Sequence, residues 1–407
     1  MIETYKDKVI TTTNLLFFVF GLLSCIQLTL IGQLFVAEIL FVPLFLFYFF
    51  FRFGSLWQLN MFRILSVLCI LMLMGYVVSD LFRGVSQENY LRGWARVIFL
   101  FIDFVVLTAA AVINRYSFLF FISGIATGNL FQGLQQGIDP GSWKTHLGHS
   151  LNFLFLVFES YVLPFISGIS GMALGGLSIL FDSRSLGAAL LLAVASLWFK
   201  RKYPGASFPV SKGSFSIGIK ILLALMVLIA AYGNPNEEQS KRRSESNVGR
   251  LVSTQAGLVA ISKSPLIGYG SWGDSKDLAK AQRNFLTEKF REMNKDRRIK
   301  LFVTEKTREL PHSMILRSWV EGGIFSFFFF GFLAFSCIHF FFKCLFSRGY
   351  DRFTALFFYI LILTFWHIMQ SPFAGKHRFT LAVCMAVLCF MTRDEKVTAM
   401  QKTGFAC

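Results

Sequence analysis

Three short stretches of the chain carry side chains that could do chemistry. Ser183-Arg184-Ser185 ends an apolar block, Arg250 lies 15 residues before the stretch 265–270, and His312-Ser313 opens another apolar run. Arginine is permanently charged, and its planar fork binds oxyanion oxygens in pairs. Histidine has an unperturbed pKa of about 6.5 and can accept a proton near neutral pH. These residue types suit an anion held by cations beside a proton acceptor.

Motifs for several other chemistries are absent from the sequence. It contains no GxxxxGK[ST] loop, no HExxH, no Asp-x-Asp pair and no GxSxG turn. These absences disfavour an ATP-driven pump, a zinc protease, a metal-dependent nucleotide-sugar transferase and a serine hydrolase. The seven cysteines show neither disulfide nor zinc-site spacing and fit apolar packing. We therefore predict no metal site and no cofactor.

The elements that must position these residues are membrane-spanning helices. Of the 407 residues, 55% are hydrophobic, 17% are aromatic and only 15% are charged, whereas soluble domains have about 25% charged residues. The mean hydropathy is +0.58. This composition excludes an ordinary soluble enzyme, a disordered chain and a secreted disulfide scaffold. We predict an all-α polytopic membrane protein.

Apolar runs near the length of a membrane-spanning helix, roughly 20 residues, occur throughout the chain. They lie near 14–32, 34–53, 61–82, 94–113, 116–134, 216–232, 314–342, 352–371 and 377–392. The stretch 149–199 adds three apolar blocks, 149–166, 169–181 and 185–199, of which the second is too short for a straight span. The total is about 12 spans.

Lysine and arginine in short loops predict the orientation. A cytoplasmic N-terminus, with Lys6 and Lys8, also places several later basic loops inside, provided that 149–199 crosses three times. These loops carry Arg52, Arg63, Arg115, Lys200, Arg201, Lys202, Lys212, Lys343, Arg348, Arg352, Arg393 and Lys396. Other basic side chains then lie at external span ends, against that rule: Arg83, Arg92, Arg96, Lys144, His146, His149, Lys376, His377 and Arg378. They either face an anionic substrate or mark misassigned boundaries.

The hydrophilic segment 233–313 is predicted to be a large external, periplasmic loop containing short amphipathic helices. One helix is expected over 251–261 and a second, more basic one over 276–300. The basic helix suits either an anionic membrane surface or a solvated face packed on the spans. The chain then divides into spans in 1–148, spans with a broken region in 149–232, the loop 233–313, and spans with a cytoplasmic tail in 314–407.

The order of these motifs resembles the bacterial O-antigen ligase and O-antigen polymerase superfamily. That family's loop shows Gly-Arg, then Pro-Leu-x-Gly-x-Gly, then His-[Asn/Ser]-x-x-Leu followed by Glu-x-Gly-Ile. Here the matching stretches are 249–250, 265–270, 312–316 and 321–324, and Ser183-Arg184-Ser185 matches a further upstream feature. The sequence departs from the family pattern in Ser313, where asparagine is commoner, and in lacking an aromatic residue soon after Arg250.

The resemblance implies a metal-independent glycosyltransferase in the bacterial inner membrane. It would pass a glycan from undecaprenyl diphosphate to a glycan or lipid acceptor, with the bilayer as its surroundings and no role for nucleic acid. Arg184 and Arg250 would hold the diphosphate, and His312 would take the acceptor proton or hydrogen-bond the diphosphate. Substrate-binding roles are further expected for Ser183, Gly268, Gly270, His377 and Arg378. A single large loop slightly favours a ligase over a polymerase, and the sugar stays open.

Each residue also has a plainer interpretation. Arg184 could anchor a helix end by snorkelling, Arg250 could be a solvated loop charge, and His312 could be an interfacial helix N-terminus. Gly268 and Gly270 could be ordinary turn glycines. Glu321, nine residues after His312, is expected to be structural.

The alternative function is a transporter or flippase of a lipid-linked glycan or other anion, but only one broken region is visible where inverted repeats would give two. A sensing protein is the third class.

Overall fold

The computed structural model describes residues 11–30, 32–159, 166–181, 183–202, 237–297, 307–347, 353–375 and 377–402. Some predictions fall outside these ranges. They are the span 216–232 and the positions Lys6, Lys8, Asp182, Lys212, Arg348, Arg352 and Lys376.

Helices make up almost all of the described chain, as the sequence predicts. In order they are α1 (Thr12–Leu23), α2 (Val36–Phe51), α3 (Phe53–Trp57), α4 (Asn60–Arg83), α5 (Gln87–Ile113), α6 (Arg115–Gln136), α7 (Pro140–Ser142), α8 (Gly148–Glu159), α9 (Ile166–Leu180), α10 (Arg184–Lys202), α11 (Glu237–Lys263), α12 (Lys276–Arg297), α13 (Met314–Phe346), α14 (Thr354–Gln370) and α15 (His377–Lys402). A π-helical turn, Trp143–Leu147, precedes α8, and a 3₁₀ turn, Ser271–Gly273, precedes α12.

The first two predicted spans are shorter in the structure than in the sequence. Strands β1 (Gln27–Leu30) and β2 (Gly32–Phe35) form an antiparallel hairpin between α1 and α2. The prediction of one helix across 14–32 was therefore wrong at its C-terminal half. Hydropathy cannot separate a strand from a helix in a continuous apolar run, and the pairing of Gln27 with Phe35 decides it here.

Among the described residues, four helices are long and apolar enough to cross a membrane: α4, α5, α6 and α13. Shorter apolar helices are Thr12–Leu23, Val36–Phe51, Ser170–Leu180, Thr354–Gln370 and His377–Thr392. The chain is thus a multi-pass membrane protein, and the total of about 12 spans stays a prediction. Phenylalanine fills much of the interior; Phe62, for example, stacks on Phe104 with ring centroids 5.1 Å apart.

Close packing between α1 and α6 depends on two glycines that face one another. A Cβ on Gly21 would lie 2.2 Å from the carbonyl oxygen of Phe121, and one on Gly124 would lie 2.1 Å from that of Phe18. Small residues let helices approach in a bilayer, where dispersion replaces the hydrophobic effect as the main attraction.

The broken region 149–199 contains three helices, α8, α9 and α10, as predicted. The boundary between the first two apolar blocks, 149–166 and 169–181, was predicted at Ser167-Gly168; this was wrong, because α9 begins at Ile166 and runs through both residues. The break before Arg184 is present, with Ser183 in a non-helical conformation. In the loop segment, the helix expected over 251–261 is longer, Glu237–Lys263, and the one expected over 276–300 is Lys276–Arg297.

Contacts between helix ends sort the loops into two groups. Lys200 donates to the carbonyl oxygens of Cys344 and Ser347, so the basic end of α10 lies beside the end of α13. At the opposite ends, Arg83 contacts Asp277, and the His149 and His367 rings lie 6.0 Å apart. The sequence predicts a cytoplasmic position for the first group and an external position for the second, and these two assignments stay predictions.

Candidate active site

The segment 264–273 is fixed by backbone hydrogen bonds to an interrupted part of α13. The N–H of Tyr269 donates to Val320 O at 2.7 Å, that of Gly270 donates to Glu321 O at 2.9 Å, and that of Ile324 donates to Leu266 O at 3.2 Å. Gly323 has φ +71° and ψ −161°, which interrupts the helix there. The interruption frees these carbonyls for the external segment.

Glycine is required on both sides of this contact. A Cβ on Gly268 would lie 2.2 Å from Glu321 O, and one on Gly323 would lie 2.2 Å from Leu266 O. Gly270 has φ +86°, and a Cβ there would meet the Val85 side chain at 2.3 Å. The geometry therefore gives Gly268 and Gly270 a structural role, and their predicted part in substrate binding stays a prediction.

A set of polar contacts fastens the same segment to α4 and α5. Asp80 accepts from the N–H and the hydroxyl of Ser271 at 2.5 and 2.8 Å, and from the indole of Trp94 at 2.8 Å. Asp274 accepts from Ser86 at 2.6 Å and Asn89 at 2.7 Å, and these hydrogen bonds lower the pKa of its carboxyl.

The base candidate is positioned by packing of α11 against α12. Gln282 is fully buried and bonds the carbonyl oxygens of Ala256 and Glu309 and the N–H of Glu309. Pro311 is buried in close contact with Gly257, where a Cβ would lie 2.2 Å from the proline ring. His312 follows immediately and is exposed.

Two arginines act on the His312 imidazole. Partial desolvation by the surrounding protein lowers its pKa below the ordinary value, and the positive charges of Arg250 and Arg317 lower it further. Arg250 lies on the exposed side of α11 and Arg317 in the first turns of α13. A neutral imidazole at physiological pH can accept a proton. The charges of Arg250 and Arg317 thus both act on His312, and the catalytic roles expected for His312 and Arg250 stay predictions.

Arg184 lies on the same side of the molecule as His312. Its helix, α10, packs along α14, and the far end of α10 meets the end of α13 through Lys200. The N-terminus of α10 is therefore near the C-terminus of α14, where the Ser313 hydroxyl donates to Ile368 O at 3.2 Å. Arg184 is half-buried, and the Ser183 hydroxyl is buried without a hydrogen-bond partner among the described residues.

A buried ion network lies beneath this surface. Glu321 is fully buried and accepts from Arg96 at 2.6 Å, Tyr76 at 2.9 Å and Arg317 at 3.0 Å. Arg96 is 2% exposed and also donates to Phe373 O at 2.8 Å. This burial and these ion pairs fit the structural role predicted for Glu321. Neither Arg317 nor Tyr76 was predicted from the sequence. The four-residue spacing of Arg317 and Glu321, which suits an ion pair on one helix face, would have indicated Arg317. Tyr76 lies 245 residues from Glu321 and has no such local pattern.

The two predicted binding residues at the start of α15 have different surroundings. Arg378 is 4% exposed and donates to both carboxylate oxygens of Glu38, at 2.5 and 2.7 Å, and to Gln33 O. The His377 ring lies 4.8 Å from the His367 ring. A substrate would have to compete with Glu38 for Arg378, so the geometry favours a structural role for that side chain. Substrate binding by His377 and Arg378 stays a prediction.

No group of three or more His, Cys, Asp or Glu side chains in the described ranges could hold a metal ion.

Residues 171–331 match a protein-family model described as O-antigen ligase. The matched region contains Ser183, Arg184, Arg250, His312 and Arg317, but not Arg96 or Arg378. No curated protein matches the chain.

Proposed function

Because residues 171–331 place the chain in the O-antigen ligase and polymerase superfamily, we propose that it transfers a glycan from undecaprenyl diphosphate to an acceptor hydroxyl. The observation that carries this proposal is an exposed His312 whose pKa is lowered beside the cations Arg250 and Arg317. Such a site combines a proton acceptor with positive charge for an anionic leaving group.

In the proposed reaction, the acceptor oxygen attacks the anomeric carbon of the donor glycan. The bond between that carbon and the phosphate oxygen breaks, and undecaprenyl diphosphate leaves with the bonding electrons. His312 takes the acceptor proton and later returns it to solvent. Arg184 and Arg250 stabilise the charge that grows on the diphosphate, where preorganised donors can lower the barrier by roughly 3–4 kcal/mol each.

The acceptor distinguishes the two enzymes of this superfamily. A ligase transfers the glycan to a terminal acceptor such as a lipid core, and a polymerase transfers it to a second lipid-linked unit. The single large loop predicted at 233–313 favours the ligase. We place the enzyme in the bacterial inner membrane with this segment in the periplasm, where such donors present their glycans.

The test is transfer by full-length variants in membranes. His312→Ala, Arg250→Ala and Arg184→Ala should each insert normally and lose transfer by about 100-fold or more, because a positioned base or oxyanion donor contributes that much. Arg283→Ala is the matched control, since Arg283 is exposed on the solvent face of α12. Wild-type transfer in the three site variants would overturn the proposal.

Deleting the gene and resolving the surface glycan on a gel separates the alternatives. Loss of all long chains from the lipid core indicates a ligase, and one repeat unit still attached indicates a polymerase. An unchanged glycan with altered solute uptake supports a transporter instead. Transfer by purified protein should also persist in a chelator; its loss would overturn the metal-independent mechanism.

A further inference from the structure

Arg317 presents an unused pair of donor groups next to His312. Its Nε donates to Glu321 at 3.0 Å, and its side chain is 14% exposed. Within the described residues, its two terminal nitrogens make no hydrogen bond, and neither is among the buried polar atoms without a partner. Both therefore reach the surface. A guanidinium fixed at Nε with a free fork has the geometry of bidentate oxyanion binding.

The network behind Arg317 holds it in place. Glu321 is anchored by Arg96 and Tyr76, and Arg96 is anchored in turn on Phe373 O. Two arginines share the Glu321 carboxylate, and the Asp80 carboxylate is close enough to act on Arg96 as well. Of these two arginines, Arg96 is 2% exposed and Arg317 is 14% exposed, so Arg317 is the one whose guanidinium a ligand at the surface can reach.

Trp272 supports the same arrangement from the other side. The Arg96 guanidinium carbon lies 5.1 Å and the Arg317 guanidinium carbon 5.3 Å from the ring of Trp272. Its backbone is left-handed, with φ +60°, the one such non-glycine conformation in the described part of the chain. Its indole nitrogen is buried with no acceptor among the described residues. Strain of this kind persists where the surroundings fix it, and it clusters at ligand sites.

We propose that Arg317 is a third phosphate-binding arginine, which binds the diphosphate of the polyprenyl donor through its two terminal nitrogens. Arg96, Glu321, Tyr76 and Trp272 are its positioning residues. The proposal rests on the function proposed above and deepens it. It also makes His312 a neighbour of two phosphate-binding cations, Arg250 and Arg317, whose charges both act on it.

The direct test is binding of undecaprenyl diphosphate, without a glycan, to the purified full-length protein in detergent. Arg317→Gln should weaken binding roughly 10- to 100-fold, the range for losing charge-assisted hydrogen bonds. Arg317→Lys keeps the charge but not the fork and should lie between Gln and wild type. Arg283→Ala should bind like wild type. Unchanged affinity in a folded Arg317→Gln protein overturns the proposal.

A second measurement separates binding from a purely structural role. The pKa of His312, followed by NMR of histidine-labelled protein, should rise in Arg317→Gln because a neighbouring positive charge is lost. Adding undecaprenyl diphosphate should raise the same pKa in wild type and raise it less in the variant. If Arg317→Gln fails to fold, the affinity and the His312 pKa are both measured in Arg317→Lys. An unchanged affinity in that variant overturns the proposal that the two terminal nitrogens bind the diphosphate.

The two proposals can fail separately. Diphosphate binding that depends on Arg317, in a protein that transfers no glycan, supports this inference and overturns the proposed function. Glycan transfer that depends on His312 and Arg250 but not on Arg317 supports the function and overturns the inference.

A phosphate on the acceptor is the other source of the same chemistry. If Arg317→Gln raises only the apparent KM for the acceptor and leaves undecaprenyl diphosphate affinity unchanged, the assignment to the donor is overturned.

Discussion

At the scale of single residues, His312 owes its suitability as a base to its neighbours. An isolated imidazole would be partly protonated near pH 6.5. Desolvation and the charges of Arg250 and Arg317 all disfavour the protonated form here. The same cations that would bind the diphosphate therefore also keep His312 neutral. One cluster of charges would thus both bind the substrate and prepare the base.

The pH dependence of transfer follows from this lowered pKa. Activity requires neutral His312, so it should be lost as the pH falls through the folded-state pKa, which lies below 6.5. In Arg250→Gln or Arg317→Gln, the acid limb of the residual activity should move to higher pH, because a repelling charge is gone. Initial rates of transfer between about pH 4.5 and 8.5 measure this limb. An acid limb that stays in place in both variants would argue against His312 as the base.

At the scale of elements, the interrupted helix α13 links the external segment to the membrane helices. Its carbonyls at Val320 and Glu321 accept from Tyr269 and Gly270. A continuous helix would use those carbonyls internally and would leave the segment without its backbone partners. The interruption thereby fixes where the external segment meets the end of α13 that carries Arg317.

Substituting the contact glycine tests this link. Gly268→Ala should lower the free energy of unfolding by about 1–3 kcal/mol, because its Cβ would collide with the backbone at Glu321. Gly176→Ala is the matched control: a Cβ there meets nothing within 4 Å, and alanine favours a helix. Thermal unfolding in detergent measures both variants. Equal midpoints for the two would show that the contact at Glu321 can relax without cost.

At the scale of the whole molecule, the two groups of helix ends define opposite sides. The side with Lys200 carries the basic loops expected in the cytoplasm, and the side with His312 carries the candidate site. Basic groups on the site's side do not follow the orientation rule, and the structure explains two of them. Arg96 forms an ion pair with buried Glu321, and Arg378 forms one with buried Glu38.

Cysteine labelling tests the orientation. The test uses a chain whose native cysteines are replaced, in cells whose inner membrane is intact and accessible from outside. Lys280→Cys, on the exposed face of α12, should react there with a membrane-impermeant maleimide. Lys343→Cys, near the opposite end of α13, should react only after permeabilisation. Labelling in the reverse pattern would place the site in the cytoplasm and contradict the proposed location.

The sequence alone determined the membrane class, most helix positions and the order of Arg184, Arg250 and His312, because these follow from local hydropathy and motif spacing. The tertiary structure decided which charges pair. Arg96 and Glu321 stand 225 residues apart, so their ion pair depends on how α5 packs on α13 and leaves no trace in local spacing. It also decided why Gly268 must be glycine, since a backbone 53 positions later occupies the space of a side chain. Arg317 became a candidate only once that packing showed which of its nitrogens stay free.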